Sequence, residues 1–415
     1  MNMLTKAAVA ALMTAGVMSS DGITLTIDKV QQRYPWNGLV DIDYTVSYEG
    51  GDAPVDPAKE SLQFKVINNG VSPATTTVAY SLSKCPAPTA AGSHRITWNA
   101  NADGVDFVSS DVTVEISLLR YSPKYLVVDV SHLNEQGKYD IQYLDGKPAN
   151  GFNKNEYKGD KIVFRLIQPG SYQAGSPSTE PGRTAAREAQ HNVTISKPFY
   201  IGIFEMTQRQ YEYVVGKNPS SPDQRGDYRP VDSVRLDEVR GRDLEPAANS
   251  VLDILRQRTD LKIDLPTEFQ WEYACRAGTT TPYNDGNACS TTADLQDRLA
   301  KLGRFKLSTG EVNPGGDYDS AHTTVGSYLP NAWGLYDMHG NVIEYCRDIY
   351  VENFASLNQQ VDPQSPPNGS GDQRGRRGGS FNETAKDCRS AWRDVFYGPN
   401  FSYAYWGFRL SIDPE

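Results

Sequence analysis

Cysteine and histidine are scarce in this sequence, five of each among 415 residues. The cysteines (Cys85, Cys275, Cys289, Cys346, Cys388) show no C-x-x-C spacing, which leaves a zinc or thioredoxin-like centre without support. The histidines (His94, His132, His191, His322, His339) form no H-E-x-x-H pair. No glycine-rich phosphate loop follows a strand, and G-x-S-x-G is missing, so a nucleophile elbow is not indicated. Positive charge is also short: 41 Lys and Arg stand against 51 Asp and Glu, a formal net charge of -10. The densest basic run, Arg374 to Arg377, is brief, and no nucleic-acid partner is expected. Beyond the N-terminus no apolar stretch approaches the length of a membrane span.

What is present suggests two β-rich domains. The chain is too long for one ordinary core, and 24 Tyr, 35 Gly and 25 Pro favour strands and loops over helical bundles. Residues 1–20 carry Lys6, an apolar stretch from Ala7 to Met18, and Ser19-Ser20, the pattern of a secretory signal peptide. Export to the periplasm, the cell surface or the medium is therefore expected. In that setting one or two disulfides would persist, and an odd cysteine count leaves one thiol unpaired or paired between chains.

Residues 22–120 alternate. Val40, Ile42, Tyr44, Val46 and Tyr48 mark one face of a half-buried strand. Leu62, Phe64 and Val66 repeat this, as do Val78, Tyr80 and Leu82, then Ile96 and Trp98, and finally Val112, Val114, Ile116 and Leu118. Short alternating strands between Gly, Pro and Asn turns indicate an immunoglobulin-like β-sandwich, either a binding module or a spacer. Residues 121–158 read as a linker or transition, and residues 159–415 as a second domain. It opens with a strand from Lys161 to the Pro169-Gly170 turn. Thr207 and Thr267 are each placed to cap a helix, the second ending at Gly278. Residues 284–325 are rich in Gly, Asn and Asp and read as mostly loop.

Five separated motifs run through this second domain in order. They are G-S-Y-Q-A-G-S, I-F-E-M-T-Q, L-P-T-E-F-Q-W-E-Y-A-C-R-A-G, G-L-Y-D-M-H-G-N-V-I-E-Y, and R-G-G-S-F followed by G-F-R-L. Together they resemble the formylglycine-generating-enzyme, or sulfatase-modifying-factor, family. The resemblance implies an α+β domain of C-type-lectin-like fold. It also implies a Ca²⁺ site made by the side chains of Asp337 and Glu344 with the carbonyls of Gly340 and Val342. On residue chemistry alone, Asp337 and Glu344 would equally cap turns or pair with an arginine such as Arg347. A second Ca²⁺ site of the family would fall at residues 300–303, where Lys301 stands in place of its Asn.

Catalysis in the family needs two thiolates that hold copper(I), a soft ion suited to sulfur. The first would stand two residues after the aromatic of R-G-G-S-F, and this chain has Glu383 there. Only Cys388 remains nearby, so no copper is expected and no catalytic residue is assigned. By the same resemblance Cys388 is structural and bridges Cys275, with Cys346 a competing partner because the register is open by two residues.

Residues 394–406 read D-V-F-Y-G-P-N-F-S-Y-A-Y-W, and six of the thirteen are aromatic. Tyr and Trp give contact area at little entropic cost, while Ser, Gly and Asn adapt their hydrogen bonds. Two of the six, Trp406 first, would serve equally to close the core. The arrangement also resembles variable proteins of diversity-generating retroelements, which randomise such a patch between R-G-G-S and G-F-R. Asn382, Asp394, Phe396, Tyr397, Asn400, Phe401, Ser402, Tyr403 and Tyr405 are the expected ligand contacts, with Arg389 and Arg393 positioning the supporting strand. The expected function is binding of a protein or glycan on another cell surface. An oxidase of the sulfatase-maturation type is the alternative.

Overall fold

The computed structural model describes residues 17–20, 23–33, 38–48, 60–68, 85–86, 91–99, 112–120, 123–243, 245–313, 321–353, 360–363, 373–397 and 401–413. The chain divides into two units, residues 1–122 and 123–415.

The first unit is built of β1 (Val17–Ser20), β2 (Ile23–Gln32), β3 (Leu39–Tyr48), β4 (Glu60–Asn68), β5 (Cys85–Pro86), β6 (Gly92–Asn99) and β7 (Val112–Arg120). They form two antiparallel sheets, of order β1-β2-β3-β6 and β5-β4-β7. The alternation in β3 works as expected. Val40, Ile42, Tyr44 and Val46 are buried, and Val40 sits opposite the buried Trp98. The other face is polar, where Arg33 donates to Asp41 and Arg95 to Asp43. Val78, Tyr80 and Leu82 lie outside the described residues, as do residues 1–16 of the expected signal peptide. Residues 17–20 pair with β2.

The second unit begins earlier than the motifs suggest. Strands β8 (Tyr125–Asp129) and β9 (Asp140–Leu144) come from the segment expected as a linker. They pair onto β10 (Lys161–Ile167), which is preceded by α1 (Asn155–Gly159). Residues 123–158 are thus part of this fold. Next come β11 (Gly170–Ala174), β12 (His191–Ile195), β13 (Phe199–Gly202), α2 (Gln208–Val215), α3 (Leu236–Val239), α4 (Val251–Thr259), β14 (Ile263–Asp264), α5 (Glu268–Arg276) and α6 (Thr292–Leu299). The chain closes with β15 (Ile343–Ile349), β16 (Gln373–Arg377), β17 (Asp394–Tyr397), β18 (Trp406–Gly407) and β19 (Ser411–Ile412).

A six-stranded sheet of order β14-β19-β13-β10-β8-β9 forms the centre. Successive side chains of a strand point to opposite faces. Ile162, Phe164 and Leu166 therefore join one core with Tyr211 of α2 and Leu252 and Leu255 of α4. Val163 and Ile167 join the other with Phe269, Trp271 and Ala274 of α5. Burial on both faces is why β10 reads as a nearly continuous apolar run.

Helices α2 and α5 start where expected, each with a capping box, Thr207 with Gln210 and Thr267 with Gln270. The left-handed residue that ends α5 is Ala277, φ 46°, one position before the expected Gly278. The loop expected over residues 284–325 contains α6. Thr291 and Asp294 form its capping box, and Leu295 and Leu299 bury one face. The site is carried by a second sheet, β17-β16-β15-β18, in which β18 runs parallel to β15. Among the described residues no helix is long and apolar enough to cross a membrane.

Candidate functional site

The G-L-Y-D-M-H-G-N-V-I-E-Y segment is a tight turn leading into β15. Gly340 has φ +85°, and a Cβ there would lie 2.0 Å from the Arg304 carbonyl oxygen, so a side chain has no room. Asp337 and Asn341 also take left-handed conformations, φ 55° and 66°. The turn carries Asp337 and Glu344 into the interior, where Glu205 from the I-F-E-M-T-Q motif meets them. Arg409 of G-F-R-L holds Glu344 through Nε at 2.7 Å and a terminal nitrogen at 2.6 Å, and Trp271 Nε1 donates to it at 2.7 Å. Glu205 accepts from Asn341 Nδ2 at 2.6 Å and from the Val342 amide at 3.1 Å. Asp337 accepts from the Gly326 amide at 2.6 Å, while its other oxygen has no hydrogen-bond partner. Burial raises Asp337 to about 6. Burial, then Asp337 and Glu344, push Glu205 well above the carboxylate range.

Of the carboxylates expected to bind Ca²⁺, Asp337 has one oxygen without a hydrogen-bond partner, while Glu344 has protein partners. Both oxygens of Glu344 are committed to Arg409 and Trp271, which makes it an ion-pair partner. Arg347, the arginine considered from sequence, pairs with Asp413 instead. Among the described residues no group of three or more His, Cys, Asp or Glu is placed to hold a metal ion.

The disulfide expected between Cys275 and Cys388 is absent: both are buried free thiols, as is Cys346. The His339 imidazole contacts both the Cys275 sulfur and the Cys388 backbone. Its Nδ1–H donates to the Cys388 carbonyl at 2.8 Å, its Nε2 accepts from the Asn284 amide at 3.2 Å, and its ring nitrogens lie 3.8 and 3.9 Å from Cys275 Sγ. Burial lowers His339 to about 4, which suits this neutral tautomer. The side chain facing Cys275 is Ser390, two residues beyond Cys388, with its Oγ 3.6 Å from the sulfur. Burial pushes the Cys275 thiol up to about 12 and the Cys388 thiol well above its usual range. Such thiols are poor nucleophiles.

The aromatic patch divides by depth. Trp406 is buried, and the Arg376 guanidinium lies 4.1 Å over its ring while also donating to Asp394. Tyr405 is half-buried against the core. Tyr403 rests on both, with ring centroids 4.4 Å from Trp406 and 5.4 Å from Tyr405, yet remains 45% exposed, and Phe401 is 56% exposed. Asn382 and Ser402 are also exposed, and Asp394 is half-buried. Phe396 and Tyr397 belong to the edge strand β17, opposite Arg374 and Gln373. Asn400 lies outside the described residues.

The loop carrying Tyr403 and Tyr405 is pinned from below. The Ile343 amide donates to the Tyr405 carbonyl at 2.9 Å, and the Ser233 amide to the Tyr403 carbonyl at 3.1 Å. Ser233 Oγ donates to Asp232 at 2.8 Å; the other Asp232 oxygen is 2.9 Å from His322 Nε2. Arg229 Nε donates to His322 Nδ1 at 3.1 Å, which places the imidazole proton on Nε2. Sequence reasoning missed Glu205, Asp232 and His322. Glu205 had one signal, a lone carboxylate in an otherwise apolar F-Y-I-G-I-F-E-M run; the other two had none. Arg389 is buried against Glu180 and Glu188, and Arg393 against Glu268. Both secure the segment that precedes β17.

The Sulfatase-modifying factor enzyme 1-like domain matches residues 150–414, and the chain belongs to that family. A formylglycine-generating enzyme from Streptomyces coelicolor is 35% identical over 122 residues, 28% of this chain and 35% of the enzyme. The chain thus aligns with about a third of that relative's length. Among solved structures, PvdO from Pseudomonas aeruginosa is similar with 24% identity and a TM-score of 0.49, covering 61% of this chain and 94% of that one. Treponema denticola variable protein 1 is similar with 23% identity and a TM-score of 0.46, covering 61% and 96%.

Proposed function

We propose that this is an exported, non-catalytic ligand-binding protein of the sulfatase-modifying-factor family. Its first unit is an immunoglobulin-like spacer. Its second, of C-type-lectin-like fold, contacts a protein or glycan on another cell surface through the aromatic patch at residues 394–406. The observation that carries the reading is Glu383, a carboxylate where the family resemblance puts the enzymes' first catalytic cysteine. The exposed Phe401 and Tyr403 support it, since rigid aromatic rings on an anchored loop bind without losing much entropy. The resemblance to retroelement variable proteins extends the proposal to diversification of the patch. A near-identical template repeat beside the coding sequence is expected, and its absence together with that of a reverse-transcriptase gene argues against diversification.

Random peptides displayed on phage provide a probe. Replacing Tyr397, Tyr403 and Tyr405 together by Ala should abolish retention of the peptides that the unaltered protein selects, with circular dichroism and the melting curve unchanged. A folded triple variant that retains them with full affinity refutes the assignment.

The identity to formylglycine-generating enzymes favours a second reading, oxidation of a substrate cysteine. Incubation with a C-x-P-x-R peptide, copper and O₂ separates the two, because only an oxidase yields the aldehyde.

A further inference from the structure

We propose that the patch recognises a cationic side chain, lysine or arginine, presented by a protein partner, with the charge met by Glu383 and the stem lying against Tyr403 and Tyr405. This rests on the ligand-binding reading above and names the chemistry of the ligand.

Glu383 follows the turn after R-G-G-S-F. Its amide bonds to the Ser380 carbonyl at 3.2 Å and its carbonyl accepts the Lys306 amide at 2.7 Å. Its carboxylate accepts from the Ser380 hydroxyl. Among the described residues no salt bridge reaches it. Arg376, Asp387 and Asp394 are the charged groups that act on it, and the Tyr405 hydroxyl and Cys388 thiol feel its charge in turn. Arg376 is engaged with Asp394 and the Trp406 ring, and Arg187 lies 3.9 Å from the same Asp394. Asp387 accepts the Thr384 hydroxyl at 2.7 Å. Arg376 and Arg187 are thus both drawn to Asp394, and neither forms a salt bridge with Glu383.

A cation arriving with a ligand would supply what Glu383 lacks. Its removal from water raises Glu383 to about 7, a charge the surrounding protein stabilises poorly. The neighbouring rings favour the same occupant, since an aromatic face attracts ammonium and guanidinium groups and packs against their apolar stems. A phosphate or sulfate would instead meet repulsion from the carboxylates.

The experiment uses the full chain, the phage-displayed random peptides, and the variant Glu383→Gln, whose amide oxygen still accepts from Ser380. Patch-dependent binders should be enriched in Lys and Arg. Their affinity should fall about tenfold in Glu383→Gln, and should rise between pH 6 and pH 8 in the unaltered protein as Glu383 ionises. Replacing the cationic residue of a selected peptide by citrulline or norleucine should reproduce the loss. Patch-dependent binders that are neutral or acidic overturn the inference while leaving the ligand-binding reading standing, whereas an absence of patch-dependent binders ends both. Full affinity of a folded Glu383→Gln for cationic peptides also overturns it. If that variant does not fold, Tyr403→Leu removes the π face and keeps the apolar surface, and undiminished cation binding there has the same consequence.

Discussion

Ser390 faces the Cys275 sulfur across 3.6 Å, in the place that sequence comparison gives to Cys388. The family resemblance implied that the region after R-G-G-S-F would approach the W-E-Y-A-C helix, with the register open by two residues. The turn Ala385–Cys388 is a 3-10 helix, and its tighter winding settles which side chain arrives. A prediction follows at this scale. Ser390→Cys should form a disulfide with Cys275 under oxidising conditions, seen as the loss of two thiols to a labelling reagent. Closing a loop of this length should stabilise the protein by about 5 kcal/mol, less any strain. Cys388→Ser should leave thiol labelling of Cys275 unchanged, because the two sulfurs do not pair.

Helix α5 shows how an element is held when every one of its residues is buried. Its cap, Thr267, contributes one satisfied amide, and Thr267→Ala should cost about 1 kcal/mol in urea unfolding. Its two glutamates contribute more. Arg377 bonds Glu268 at 3.0 Å and Glu272 at 3.1 Å, and Arg377→Met removes this shared cation while leaving Glu268 with Arg393 and Glu272 with Arg276. The expected cost is about 2–3 kcal/mol, so the same titration should rank the two variants. The Asp337–Glu344 turn follows similar reasoning. With Glu344 held by Arg409, EDTA should leave the melting temperature unchanged, and a fall of several degrees reversed by Ca²⁺ would show that the pair opens for the ion. The caps at Thr207 and Thr267 were legible because cap and apolar spacing lie within one turn of each other. Helix α6 carries the same box at Thr291 but was hidden by the Gly- and Asn-rich text around it. Its apolar stripe is only Leu295 and Leu299, too little for a periodic signal.

On the scale of the molecule, the segment read as a transition is instructive. Tyr125 to Val130 reads as a strand from sequence, but not as one that lies between β10 and β9 in the central sheet and feeds both cores. A chain starting at residue 123 should melt cooperatively and keep the patch-dependent binding of the whole protein. A chain starting at residue 159 loses two of the sheet's six strands and should be insoluble or bind hydrophobic dye. Equal folding of both would show that the second unit does not need this edge.

Local patterns in the chain were enough for the strands at Leu39–Tyr48, Glu60–Asn68, Gly92–Asn99 and Val112–Arg120, the caps of α2 and α5, and the family of the second domain, because period and capping depend on neighbours a few residues apart. The aromatic composition of residues 394–406 was equally plain. Its division into a buried Trp406 and an exposed Tyr403 was not, nor was the joining of Glu205, Asp337, Glu344 and Arg409. The hydrogen bonds among them and their neighbours include one that spans 136 positions, and only the packing of the sheets brings such residues within range.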